Sequence, residues 1–209
     1  MVNEVDQKRT GLTRVDNLFG KEGFGGAERV LHRLEFLVEA VPEIEKIAFP
    51  MTPDDIPGKG SYEVALRVAE KLGVEIVPYL IDEERDSVST ARAIKKEDVD
   101  GIVISSDTSV WSQLATYIDQ AKQEKLPFAV FDLNMVKQGG LLGYGPDYFG
   151  SGEQSAVYAD KVLRGANPAT LPIDSPRKLL LVVNTATAKA IGFEFSQEFL
   201  RKADEVITE

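Results

Sequence analysis

The chain of 209 residues has no cysteine, one histidine and one tryptophan. Without cysteine, disulfides, thiolate catalysis and zinc–thiolate sites are excluded, and either redox compartment is compatible. With His32 as the single histidine, neither a histidine-centred metal site nor a Ser-His-Asp triad is expected, and no metal or cofactor is implied. Positive charge is also scarce: 24 Lys and Arg face 34 Asp and Glu, a net charge of −10. That balance speaks against nucleic acid and anionic membranes as partners, because phosphate contact needs a cationic face. No apolar run approaches the roughly 20 residues of a membrane span. The opening MVNEVDQKR has no apolar core, so no signal peptide is expected in this chain. Repeats and low-complexity tracts are absent as well.

What is present is a foldable, alternating chain. A hydrophobic content of 43% supports a sizeable core, and the length falls between one domain and two. Short β-rich runs lie at 46–50, 75–80, 101–105, 128–132, 140–144 and 178–183. GIVIS at 101–105 and FAVFD at 128–132 are nearly continuous in apolar residues, which suits strands covered by helices on both faces. Helical spacing predicts segments at 27–41, 61–72, 110–124 and 148–163 between them. The 110–124 stripe carries Trp111, Leu114, Ala115, Ile118 and Ala121. Two short helical patterns follow at 185–191 and 196–207, with no further strand expected. Residues 1–26 contribute one weak strand at 9–13 and a glycine-rich loop at 20–26. The alternation of strand and helix points to an α/β fold with a mostly parallel sheet.

In such a sheet, ligands bind outside the carboxyl ends of the strands. The residues there are polar: Pro50-Met-Thr-Pro-Asp-Asp55, Asp82, Ser105-Ser-Asp-Thr-Ser109, Asp132-Leu-Asn134 and Tyr144-Gly-Pro-Asp-Tyr148. Each segment supports two readings. Ser106, Asp107, Thr108 and Ser109 are N-cap types for the next helix, or a run of small donors around free amides that would hold a carboxylate. Asp132 starts an Asx-turn or faces a ligand. Tyr144 and Tyr148 pack in the interior or stand on a turn beside a ligand.

Chemistry of other kinds finds no footing. Gly58-Lys59-Gly60-Ser61 has an extra glycine between Lys and Ser, and Pro53 where a P-loop needs its leading glycine. The glycines at 20–26 follow no convincing strand, so a dinucleotide site is not expected. FGSGE around Ser151 falls short of Gly-x-Ser-x-Gly, so a nucleophile elbow is missing. Asp54-Asp55 and Glu83-Glu84 read as solvated loop charge.

Four segments resemble one family. GYGPDYFGSG at 143–152 is similar to its G-x-D-Y-Y-x-x-G segment, and VLRGANP at 162–168 with LPI at 171–173 to its ILKGEKPADIPV connector. LVVNTATAKAIG at 181–192 resembles LVINLKTAKALGL, and FLRKADEVI at 199–207 resembles LLARADEVI. Upstream, RTGLT at 9–13 and SSDT at 105–108 resemble an NVTGVS strand and a P-x-D-N-T loop. On these motifs the chain resembles the extracytoplasmic substrate-binding proteins of ABC transporters, in the group that includes binders of tryptophan and other aromatic amino acids.

The resemblance implies a periplasmic-binding-protein-like (type 1) three-layer sandwich and a non-enzymatic role. The solute, amino-acid-like, would be clamped between two lobes and passed to a cognate permease outside the cytoplasm. Ligand contacts would fall at Ser106, Asp107, Thr108, Asp132, Asn134, Tyr144 and Asp147. Amides at 106–109 would hold a carboxylate, and Asp132 or Asp107 an amine. The organisation expected is a crossover strand and helix of an incomplete, truncated first lobe at 1–41, a complete second lobe at 42–174, and a return segment to the first lobe at 175–209. Leu180, Val182, Ile191, Phe193 and Phe195 of that segment would then be exposed, so a homodimer through the termini is expected. Two other readings share parts of this pattern: the effector-sensing domain of a transcription regulator, and a small α/β hydrolase using Ser106 or Ser151. The first lacks a helix-turn-helix or basic segment; the second lacks a nearby base.

Overall fold

The computed structural model of the protein describes residues 27–209, with side chains from Arg29 onward. The strand expected at 9–13 and the loop at 20–26 lie outside the described residues. Helix α1 (Ala27–Ala40) leads into β1 (Lys46–Met51), α2 (Ile56–Leu72), β2 (Glu75–Leu80) and α3 (Ser87–Ala93). Then follow β3 (Gly101–Val103), α4 (Thr108–Ser112), α5 (Leu114–Gln123), β4 (Phe128–Val130), α6 (Leu133–Gln138) and β5 (Leu142–Pro146). The remainder is α7 (Tyr148–Leu163), β6 (Leu179–Asn184), α8 (Thr185–Ile191), α9 (Gln197–Leu200) and β7 (Glu205–Ile207).

The seven strands of the described residues form one sheet in the order β2-β1-β3-β4-β5-β6-β7. The first five run parallel, β6 is antiparallel to β5, and β7 is parallel to β6. Successive strand residues point to opposite faces, and the core follows that period. Ile47, Phe49 and Met51 join one cluster with α1 and α2, while Ala48 between them joins the other with α3, α5 and α6. Val103, Ala129, Leu181 and Val183 repeat the first assignment; Ile102, Ile104, Phe128, Val130 and Val182 repeat the second. Cover on both faces is why these strands carry few polar residues.

Several boundaries differ from the sequence expectation. The helix expected at 110–124 breaks at Gln113, whose φ is −114°. That break turns Trp111 outward to 60% exposure, so it is not part of the core stripe. Helix α2 starts five residues before its expected first residue, 61, because the Asp55 side chain accepts from Gly58 N and Pro57 occupies the first turn. Helices α3 and α6, with seven and six residues, are too short for a periodic signal.

The largest correction concerns 175–209. This segment does not leave for another lobe: β6 and β7 complete the sheet beside β5. Val182, Ile191 and Phe195 are buried, and Leu180 and Phe193 pack against the two clusters. The exposed patch on which a homodimer through the termini rested is therefore absent. The end of the helix expected at 196–207 is strand instead. Leu181 N donates to Asp204 Oδ2 at 2.9 Å and Asp204 N to Leu181 O at 2.8 Å, which draws the chain alongside β6. What leaves the body is the stretch between β5 and β6. Helix α7 has no buried residue along its 16 positions, and Phe149, Val157, Val162, Leu163 and, in the connector, Ile173 are exposed. An apolar groove of about 560 Å³ runs between α7 and the connector, lined by Tyr158, Val162, Leu163, Leu171 and Ile173.

Candidate functional site

Strands β1 to β5 end at one edge of the sheet, and the edge has a switch point. From β1 the chain goes outward to β2, whereas β3 lies on the other side of β1. The helices after β1 and β3 therefore cover opposite faces, and the loops diverge into a crevice at the strand ends. The residues that meet there are Thr52, after β1, and Asp107, after β3.

Asp107 is fully buried. Its Oδ2 accepts from Thr52 N at 2.7 Å, and its Oδ1 accepts from Ser109 N at 2.9 Å and Val110 N at 3.2 Å. Thr52 Oγ1 lies 3.2 Å from both Asp107 Oδ1 and Ser109 Oγ. A buried carboxylate is tolerated when its lone pairs are filled by such donors. Asp107 is thus a helix cap that ties two loops together. Of the amides at 106–109 expected to hold a ligand carboxylate, the Ser109 amide is thereby already occupied. Ser106 and Thr108, by contrast, are exposed. Ser87 Oγ donates to Ser109 O at 2.8 Å from the far side of the loop, and Ser105 Oγ is buried with no hydrogen-bond partner among the described residues. Gly58 must be glycine here: a Cβ would sit 2.9 Å from Asp55 Oδ2 and 3.0 Å from Asp107 Oδ2.

The β4 and β5 ends form the other half of the edge. Asp132 caps α6, accepting from Asn134 N at 2.7 Å, and stays half-buried. Asn134 is exposed. Asp147 caps α7 through Gly150 N at 3.0 Å. Tyr148 lies exposed beside Asp132. Partial burial, then the charge of Asp132 and a hydrogen bond to it, raise the Tyr148 hydroxyl pKa above its ordinary value, and Arg29 opposes that rise. The strands approach closely enough that a Cβ on Gly145 would stand 2.7 Å from Phe131 O. Tyr144 departs from the expectation: it is 4% exposed, and its ring packs on His32 at 5.2 Å and Phe36 at 5.3 Å. It belongs to the core under α1.

The structure thus gathers Ser106, Thr108, Asp132, Asn134 and Asp147 at one edge, spends Asp107 on the loops and buries Tyr144. Sequence reasoning did not single out Thr52, whose role exists only through contact with Asp107, or Trp111, which the helix break exposes beside this loop. Hydrolytic chemistry is poorly served. Ser151 Oγ donates to Asp147 O at 2.7 Å within its own helix, and His32 is engaged with Glu35 at 3.0 Å on α1. Among the described residues no group of three His, Asp or Glu side chains is placed to hold a metal ion, and no helix is long and apolar enough to cross a membrane.

A mostly parallel seven-stranded sheet sandwiched by helices, with a polar switch-point edge, is the periplasmic-binding-protein-like α/β architecture. Residues 20–207 match the family of ABC transporter substrate binding proteins, and the chain belongs to that family. A "conserved domain protein" from Vibrio cholerae O1 biovar El Tor is 26% identical, with a TM-score of 0.76, and covers 85% of this chain and 60% of its own. An ABC domain from Streptococcus pneumoniae in complex with L-Trp is 23% identical, with a TM-score of 0.76, covering 86% and 60%. A ligand-free, open substrate-binding protein from Clostridium difficile is 21% identical, with a TM-score of 0.63, covering 84% and 59%. The chain therefore spans about 60% of the length of these solved relatives. No curated protein matches it.

Proposed function

We propose that this chain carries the solute-contacting strand ends of an ABC uptake transporter's binding component, working outside the cytoplasm with a cognate permease. The observation that carries this reading is the convergence of polar loops on the switch-point crevice between β1 and β3, within the matched family region. The solute is amino-acid-like: Asp132 takes its ammonium group, and Ser106, Thr108 and Asn134 supply neutral hydrogen bonds. A complementary lobe closes over it by hinge motion. The excursion at 147–178 reaches toward that lobe, since α7 finds no cover on this one.

The test is a thermal-shift and calorimetric screen over amino acids and neutral sugars. A ligand at 100 times its Kd stabilises the fold by about 2.7 kcal/mol. Trp111, the sole tryptophan and largely exposed, reports the same event as a change in fluorescence. Loss of affinity for amine-bearing ligands in Asp132→Asn supports the ammonium assignment. Unchanged affinity for all of them overturns it, and no binding by any solute overturns the reading as a whole.

A further inference from the structure

Helix α1 carries a cation with no paired anion among the described residues. Arg33 is 3% exposed, and its Nε is buried without an acceptor. Among the described residues it makes no hydrogen bond or ion pair; its neighbour is the Phe131 ring, 6.0 Å from Cζ. Glu35 is also buried, but two positions along a helix point to different sides, and its Oε2 is held by His32 at 3.0 Å. Burial and the charge of Arg29 pull the Arg33 pKa down to about 9, which still leaves it charged at neutral pH.

The corner in which Arg33 sits is part of the polar edge. Phe131 is followed by Asp132 at the end of β4, and Tyr148 stands by Asp132. Arg29, one turn before Arg33, acts electrostatically on both Arg33 and Tyr148. A buried, unpaired guanidinium destabilises a fold by several kcal/mol, and a planar fork of donors is suited to a carboxylate. Residues that weaken the free fold are kept where a ligand completes them. We propose that Arg33, assisted by Arg29, is an anion subsite that takes the carboxylate of the bound solute. This inference rests on the solute-binding reading and moves the carboxylate away from the start of α4, where Asp107 already holds the Ser109 and Val110 amides.

The test uses the full chain, at constant ionic strength, with acetate, succinate, inorganic phosphate, L-tryptophan, tryptamine and D-allose as probes. The expected result is a saturable thermal shift with at least one carboxylate, weakened tenfold or more in Arg33→Met and partly retained in Arg33→Lys. Phosphate acting as well as the carboxylates widens the class to anions in general and leaves the subsite in place. A second readout excludes a merely structural role: without ligand, Arg33→Met melts at the same temperature as wild type or higher. A lower melting temperature, or equal carboxylate affinity in wild type and Arg33→Met, overturns the proposal. If wild type binds only tryptamine or D-allose, the subsite falls and the solute-binding reading stands. If it binds nothing, both fall.

Discussion

Single residues decide whether the loops at the strand ends hold their shape. Asp107 accepts from three backbone amides, so Asp107→Asn places an amide NH2 against donors. The expected loss is about 2–3 kcal/mol in denaturant unfolding, consistent with leaving buried donors unmet. Gly58→Ala forces a methyl group against two carboxylates, and a destabilisation of about 1–3 kcal/mol is expected by the same measurement. Tyr117 gives a pH signature. Its hydroxyl is buried, 3.4 Å from Ser87 Oγ, and burial first and Asp107 second push its pKa up to about 12, with Ser87 opposing. The folded state then holds a proton that the unfolded chain releases above pH of about 10. The Tyr117 contribution to stability is therefore constant below pH of about 10 and falls between about pH 10 and 12, by roughly 3 kcal/mol at most. Tyr117→Phe should remove that slope in alkaline unfolding.

At the scale of elements, α7 is the outlier. It has a capped start, with Gly150 N donating to Asp147 Oδ1 at 3.0 Å, and no buried residue. Helices draw most of their stability from packing an apolar face, so α7 is expected to open far more easily than α5. Hydrogen exchange checks this: amides of 150–163 should exchange well before those of 116–123. Asp147→Ala should speed that exchange further while shifting the melting temperature little, because a lost cap worth about 1 kcal/mol acts only on α7. Equal protection of α7 and α5 would contradict the standing-off helix. The sequence pattern did place α7 correctly at Tyr148–Leu163. Periodicity reports that a helix has an apolar side, not whether anything covers it.

For the molecule as a whole, the sequence alone determined the class of fold. Strand runs with apolar residues on both faces, helical stripes between them and polar residues after each strand are local patterns. Such patterns survive in any environment that buries the stripes. The candidate edge was legible for the same reason: a parallel sheet brings the carboxyl ends of its strands together wherever the chain goes next. Ser106, Asp132 and Asn134 lie where that rule put them. Only tertiary structure decided which of these polar groups are free. Asp107 is spent because Thr52, fifty-five residues earlier, reaches it; Tyr144 is core because α1 lies on its ring. The route of the C-terminal segment was undecidable locally as well. LLLVVN reads as a strand in either lobe, and it was the antiparallel register with β5, Leu142 opposite Val183, that kept it in this sheet. Arg33 makes the point most sharply. An arginine on an amphipathic helix reads as a surface charge, and the burial of Arg33, with no ion-pair partner among the described residues, exists only once α1 is laid against Phe131. Patterns of period two and 3.6 are written along the chain, whereas the pairing of distant polar groups depends on contacts that no local pattern encodes.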